Sequence, residues 1–451
     1  MQAQAVILAA GLGTRMKSSR PKVLHLLAGR PMLQWSVDTC RRATGSAPLL
    51  VIGPELAEDR IEWLGDAVTV VQTDRLGTGH ALLQAEEKLA STREPIMVVS
   101  ADMALLTAST LTSLADSHAR SQATISLLTI ESQQSRGFGR ILRGPDGAVT
   151  GIIEEALASA EQLAIHELNV GAYCIEGDWL WPALKALPLS PRGEYFLTDL
   201  VAAAAREGNK VHTLALSDPD EAIGINNRLH LAQAQAALRR RINEQWMLAG
   251  VSLIDPASTY IDADVVIGAD STLLPNTCLQ GRTTIGLDCW LGPGTVICDS
   301  AVGDGCRIEA SFVEQARLGK NVTIGPFGHL RPGAVLMDGV HMGNFGEVKN
   351  STLGPGVKMG HFSYLGDATV GAETNIGAGT ITCNFSRQGG KNHTEIGEKA
   401  FIGSDSMLVA PLTIGQGAVT GAGSVVTRDV PPGSLAVGMP ARVIRKLDHG
   451  E

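Results

Sequence analysis

Short aliphatic and β-branched runs at 6–10, 49–52, 68–71, 96–99 and 124–129 alternate with segments whose apolar positions recur at helical spacing, such as 32–42 and 80–89. That alternation predicts a mostly parallel, doubly wound α/β sheet over the first half of the chain. Ligands of such sheets bind beyond the carboxyl ends of the strands, where Gly11 and Asp102 fall, so one shared cleft is expected. From 228 to 248 the pattern becomes an uninterrupted helical segment rich in Ala, Gln, Leu and Arg, closed by Ala249-Gly250. A helical connector is expected there.

From about Val265 the pattern changes again, to an aliphatic–Gly pair every six residues, as in Ile285-Gly286 and Leu291-Gly292 or Met359-Gly360 and Leu365-Gly366. Six residues fit one flat side of a β-helix: the aliphatic side chain points to the axis and the small residue permits the corner. Three sides make a coil of 18, and Ile267 to Ile285, Ile324 to Met342, and Ile396 to Ile414 are each 18 apart. A parallel β-helix of hexapeptide repeats follows. The stretch 385–393 breaks the period, as a projecting loop would. The expected organisation is therefore a domain over 1–227, a helical linker over 228–248 and a β-helix over 249–451.

A length of 451 residues supports two or three domains. The net charge of −9 gives no general footprint for nucleic acid, so phosphate sites are expected to be local. Seven cysteines without a C-x-x-C pair argue against a disulfide framework and for a reduced, cytoplasmic protein. The run 5–10 stops at Gly11, too short for a signal peptide, and no stretch approaches a membrane span.

The candidate chemistry begins at Leu8-Ala9-Ala10-Gly11-Leu12-Gly13-Thr14-Arg15-Met16, followed by Pro21-Lys22. Glycines let backbone N–H groups approach phosphate oxygens, and Arg15 and Lys22 supply cations against a triphosphate. The loop is neither a Walker loop nor a dinucleotide fingerprint. Asp102, after an apolar strand, is either a hard oxygen ligand for Mg²⁺ or a solvated loop carboxylate. Leu76-Gly77-Thr78-Gly79-His80 is either a second ligand-contacting turn or a plain strand-to-helix turn. In the β-helix, forming an amide from a thioester requires proton removal, and His361 is a candidate base. The alternative is a polar histidine stacked between coils.

The motifs LAAGLGTRM, PKVLH, LGTGHA, GFGRI, GEYFLTD and GINNR, in this order over nearly the whole chain, resemble the bifunctional N-acetylglucosamine-1-phosphate uridyltransferase/glucosamine-1-phosphate N-acetyltransferase family. The resemblance implies a Rossmann-like nucleotidyltransferase domain and a left-handed parallel β-helix. It implies UTP and UDP-sugar binding by Leu8, Ala9, Ala10, Gly11, Arg15, Lys22, Gln72, Gly77, Thr78, Gly139, Glu154, Asn169 and Asn226, with Mg²⁺ on Asp102 and Asn226. In the β-helix it makes His361 the catalytic base. Arg331, Lys349, Tyr364 and Asn375 would bind glucosamine 1-phosphate; Ala378, Asn384, Phe385, Ser404 and Ala422 would bind acetyl-CoA, with Lys391 a further phosphate candidate. The implied product is UDP-N-acetylglucosamine for bacterial envelope polysaccharides, including peptidoglycan and lipopolysaccharide, and the implied assembly is a homotrimer with acetyl-transfer sites at subunit boundaries. No nucleic-acid partner and no membrane insertion are expected.

The chain departs from the family pattern at Ser100-Ala101, Glu155-Ala156, Val170, Phe385 and the segment from Val437 to Arg442. Ala101 adds a methyl group where the backbone is expected to approach ligand. Two alternatives stay open on the residues: an acetyltransferase with an altered nucleotidyltransferase half, or a nucleotidyltransferase with the β-helix as a trimerisation scaffold. A zinc hydratase is disfavoured, because His329, His341, His361 and His393 lack ligand spacing.

Overall fold

Alternate residues of the first strand divide between two cores. Ala5, Ile7 and Ala9 join one buried cluster with Leu33, Val37, Met97 and Leu111. Val6 and Ala10 join the other with Leu82, Val98, Tyr173 and Leu200. A strand that feeds apolar side chains to both faces needs helices on both faces, which is the doubly wound arrangement.

The computed structural model describes residues 3–57, 64–134, 137–387 and 389–446. The chain forms two units, Met1–Leu238 and Arg239–Glu451, and the division falls inside the helix Arg228–Leu248. The strands of the first unit are β1 (Gln4–Ala9), β2 (Leu26–Leu27), β3 (Arg30–Pro31), β4 (Leu49–Ile52), β5 (Val68–Val71), β6 (Ile96–Ser100), β7 (Ile125–Glu131), β8 (Arg140–Arg143), β9 (Val149–Ile153), β10 (Glu167–Ile175) and β11 (Val211–Ala215).

The main sheet runs β11-β7-β10-β6-β1-β4-β5. β1 is parallel to β4 on one side and β6 on the other, so the chain reverses its winding direction at β1 and the loops after β1 and β6 flank one crevice. β10 runs antiparallel between β6 and β7, and β8 and β9 form an antiparallel hairpin beside it. The pairing of β10 with β7 shifts register between Asn169 and Tyr173, with Gly171 at φ 83 inside the bulge. The helical pattern over 80–89 resolves into two short helices, Thr78–Leu83 and Glu86–Leu89.

Asn227 opens the helix Arg228–Leu248 by accepting the His230 N–H at 2.9 Å, and Gly250, at φ 92, follows its end. In the second unit three sheets of 12, 10 and 9 strands stack coil on coil, consistent with a left-handed parallel β-helix. Ile267 pairs with Ile285, Ile324 with Met342 and Ile396 with Ile414, which are the 18-residue coils read from sequence. Other coils are shorter: Leu291 pairs with Ile308, and Ile308 with Ile324. Inward residues such as Leu291, Ile308, Met342 and Met359 are completely enclosed, each resting on its equivalent in the next coil.

The projecting loop lies where Ala368 pairs with Thr394, 26 positions on; Gln388 of that loop lies outside the described residues. The last strand, Ala441–Lys446, reverses direction and pairs antiparallel with Ser434–Gly438. All seven cysteines are free. Among the described residues no helix is long and apolar enough to cross a membrane.

Candidate functional site

β1 ends at Ala9, and Gly13 takes φ 63 before the short turn Thr14–Met16. The turn returns Arg15 to Asn226, its guanidinium NH2 donating to Asn226 Oδ1 at 2.9 Å. Lys22 Nζ donates to Asp102 Oδ2 at 2.8 Å and to Asn226 Oδ1 at 3.2 Å. Asn226 reaches this point because the Ile225 N–H is held by the Asp102 carbonyl at 3.0 Å. The three loops after β1, after β6 and before the long helix thus meet at one carboxylate and one amide oxygen. Both are hard donors, and both already converge on one cation.

Sequence alone left out a brace for this loop. Arg75 Nε donates to the Ala10 carbonyl at 2.8 Å while its other end pairs with Glu55. Gln72 is buried beside it and donates to the Gly77 carbonyl at 3.1 Å. Gly77 has φ 101, and a Cβ there would stand 2.6 Å from the Tyr195 carbonyl oxygen. Thr78 Oγ1 accepts the Leu197 N–H at 3.0 Å, so the turn at Gly77 and the segment 193–199 form one wall.

The hairpin and β10 supply a second polar group. Asn169 N donates to the Gly139 carbonyl at 2.9 Å. The Asn169 side chain is fixed at both ends: Nδ2 donates to the Tyr173 hydroxyl at 2.7 Å and Oδ1 accepts the Gly171 N–H at 3.1 Å. Glu154 accepts from Thr198 Oγ1 at 2.8 Å. Burial raises the Glu154 pKa, Asp199 and Glu194 add to the rise, and the Thr198 hydrogen bond opposes it.

The sequence departures find places here. The Ala101 methyl belongs to the buried cluster with Ala9, Val99 and Met103, so it packs in the core. Val170 joins the same cluster. Glu155 lies 3.1 Å from the NH1 of Arg140, a nearly fully enclosed guanidinium.

On the β-helix, Asn344 and His361 are register partners on adjacent coils, and His361 Nδ1 lies 3.0 Å from Asn344 Oδ1. With the amide oxygen as acceptor, this contact favours the ring tautomer that carries its proton on Nδ1 and its lone pair on Nε2. Arg331 NH1 lies 2.9 Å from Glu347 Oε1, and Glu347 stacks on Tyr364. Tyr364 lies across Gly366, where any Cβ would collide with its hydroxyl. Asp367 accepts from Asn350 at 2.6 Å and from Asn384 at 2.5 Å. Burial pushes the Asp367 pKa up, but those two hydrogen bonds, with Lys391 and Lys349, bring it below the ordinary value.

Lys349 pairs in register with Gly366, and Asn375 with Lys358 on the strand that ends at His361. Ala378 O accepts the Asp405 N–H at 2.6 Å, and Ser404 O accepts the Gly423 N–H at 2.8 Å. Ser404 and Ala422 are exposed at equivalent turns of consecutive coils. Phe385 is exposed and bridges antiparallel to Lys391 at the base of the projecting loop.

The MobA-like NTP transferase domain family matches residues 5–202, and the bacterial transferase hexapeptide family, six repeats, matches 393–428. The chain is 44% identical to the Bifunctional protein GlmU of Pelobacter propionicus, covering 98% of this chain and 97% of that protein. It is 46% identical to the Bifunctional protein GlmU of Heliobacterium modesticaldum, covering 96% and 94%. Identity to the Bifunctional protein GlmU of Trichlorobacter lovleyi is 43%, covering 99% of each.

Proposed function

Because the chain belongs to the bifunctional GlmU family, we propose that it makes UDP-N-acetylglucosamine by two transfers, one in each unit. The β-helix moves acetyl from acetyl-CoA to glucosamine 1-phosphate, and the N-terminal unit moves uridylyl from UTP to N-acetylglucosamine 1-phosphate. Family membership over the full length disfavours a degenerate N-terminal half or a β-helix that is scaffold only.

The observation that carries the acetyl transfer is the 3.0 Å contact between His361 Nδ1 and the Asn344 amide oxygen, which orients the ring and favours the tautomer whose Nε2 is the base. That Nε2 takes a proton as the substrate amine attacks the thioester carbonyl; the C–N bond forms, the C–S bond breaks, and the imidazolium returns that proton to the departing sulfur, so CoA leaves as the thiol. Arg331 and Lys349 bind the sugar phosphate, with Glu347 orienting Arg331. Tyr364 and Asn375 hold the sugar. Ala378, Asn384, Phe385, Ser404 and Ala422 receive acetyl-CoA, with Lys391 near its phosphates.

In the uridylyl transfer a sugar-phosphate oxygen attacks the α-phosphorus of UTP and pyrophosphate leaves. Backbone groups of Leu8, Ala9, Ala10 and Gly11, with Gln72, Gly77 and Thr78, position the nucleotide, and Gly139, Glu154 and Asn169 position the sugar. Arg15 and Lys22 offset the phosphoryl charge. Asp102 and Asn226 fit Mg²⁺, since their oxygens already share a cation, and such sites take the remaining ligands from phosphate and water. When bound, that ion supplies charge neutralisation on the phosphates.

Assembly as a homotrimer is supported by exposed Phe327 and Phe345, which stack at 5.2 Å on neighbouring coils, and by exposed Phe362 next to His361. The reading places the enzyme in the cytoplasm, with small molecules rather than nucleic acid as partners, supplying precursor for envelope polysaccharides. The test measures pyrophosphate release from UTP with N-acetylglucosamine 1-phosphate beside CoA release from acetyl-CoA with glucosamine 1-phosphate. Both products are expected; absence of either removes that half of the function.

A further inference from the structure

Asp102 Oδ2 and Asn226 Oδ1, the two oxygens assigned above to Mg²⁺, lie 2.8 Å and 3.2 Å from the same Lys22 nitrogen. Magnesium bonds oxygen at about 2.0–2.1 Å, so an ion held by both atoms takes the place of the ammonium. The Lys22 and Asp102 side chains are only 12% and 21% exposed, which limits the water available to screen two cations from each other. Arg15 adds a second positive group 2.9 Å from the same Asn226 oxygen. One cation position is therefore already filled.

A triphosphate can draw Lys22 away, because its oxygens offer the ammonium more negative charge than the single carboxylate does. The glycine loop is built to transmit that change. Gly13 is so close to the Lys22 stem that a Cβ there would lie 2.5 Å from Lys22 Cβ, and its φ of 63 holds the backbone against the stem. The segment that would close around phosphates and the lysine that would vacate the oxygens touch each other.

We propose that Lys22 is the resident counter-ion of the Asp102–Asn226 oxygen pair in the nucleotide-free enzyme, and that a divalent cation enters only with a nucleoside triphosphate that takes over the ammonium. The proposal rests on the uridylyl-transfer reading above. By linkage, the metal favours triphosphate binding by the same factor as triphosphate favours the metal.

The test is a Mn²⁺ titration of the full chain without nucleotide, reading free Mn²⁺ by electron paramagnetic resonance. Lys22→Met and Lys22→Gln are each expected to bind one Mn²⁺ at least about tenfold more tightly than wild type. Adding Asp102→Asn to either should remove the gain. Circular dichroism verifies that each variant is folded, and the two replacements differ in polarity, so a defect of one leaves the other to decide. Wild type binding as tightly as the variants, or a gain that survives Asp102→Asn, overturns the proposal. Pyrophosphate release by wild type is measured in parallel. Release without any gain on replacing Lys22 sinks the counter-ion role alone, whereas a gain without release leaves that role standing and sinks the uridylyl-transfer reading.

Discussion

Asn344 and His361 stand in register on adjacent coils, and the amide oxygen of the first lies 3.0 Å from Nδ1 of the second. The pairing favours Nε2 as the basic ring nitrogen before any substrate arrives. Asn344→Ala should lower kcat for CoA release about 10- to 100-fold, short of the roughly 10²- to 10⁴-fold expected for His361→Ala. Asn344→Asp should restore most of the rate and move the acid limb of the pH profile upward, because a carboxylate stabilises the imidazolium. Pyrophosphate release should be unaffected by all three; an Asn344→Ala enzyme with wild-type kcat would remove the orienting role.

Asp102→Asn tests the other unit. Replacing the carboxylate removes the anionic member of the oxygen pair and should reduce pyrophosphate release by about 10²-fold or more. CoA release should remain at the wild-type rate. Equal losses in both assays would instead indicate general unfolding.

Gly77→Ala tests a backbone constraint. At φ 101, with the Tyr195 carbonyl 2.6 Å from the new Cβ, an alanine has neither the conformation nor the space. We expect a loss of about 1–3 kcal/mol in unfolding free energy and a raised KM for UTP. Unchanged denaturation midpoints would show that the turn can shift freely.

Three buried or half-buried histidines set an acid limit on stability. His118 Nδ1 lies 2.9 Å from Ser126 Oγ and Nε2 lies 3.0 Å from Glu176 Oε1. Its pKa is lowered, chiefly by burial and also by His212, with Glu176 opposing. His25 and His212 are lowered as well, again mainly by burial. Burial thus disfavours the charged form of each in the fold, while the unfolded chain protonates them near pH 6.5. The unfolded state therefore binds more protons below that pH. Stability is full above about pH 6.5 and falls as pH drops toward the depressed folded values. Urea midpoints measured from pH 8 to 5.5 should show this, and His118→Gln should make the slope shallower.

Much of the architecture was legible because it is periodic. Inward aliphatics such as Ile324 and Met342 recur at a spacing that only a stacked coil satisfies, and the apolar runs 6–10 and 96–99 stop within one residue of the strand ends at Ala9 and Ser100. β10 was not legible: it is enclosed along nearly its whole length, so ELNVGAYCI carries no alternation, and its antiparallel course depends on partners far away in sequence. The coils closed by Leu291–Ile308 and Ile308–Ile324 depart from the 18-residue spacing that the pattern suggested.

Of the candidate sites, the glycine loop, Asp102 and His361 are marked in the sequence by residue type alone. Their partners are not. Lys22 meets Asp102 across 80 positions, and Asn344 meets His361 because a 17-residue coil happens to align them. Arg75 also lacks a motif; only the folded loop shows that its guanidinium holds the Ala10 carbonyl. The side chain of Ala101, at a position where the backbone is expected to approach ligand, belongs to the buried cluster, which the sequence did not show.

Parallel stacking is also a polymerisation rule with no stop of its own, since the final coil of a β-helix offers the next chain the same template that every earlier coil offered its successor. The strand Ala441–Lys446 supplies the stop for one sheet by lying across it in reverse. It carries Arg442, Arg445 and Lys446 on that outermost strand, and positive charge on an edge discourages further pairing. Chains shortened before residue 434 would lose both strands of this cap and leave that sheet with an unpaired parallel edge, the kind of surface on which a second copy can add.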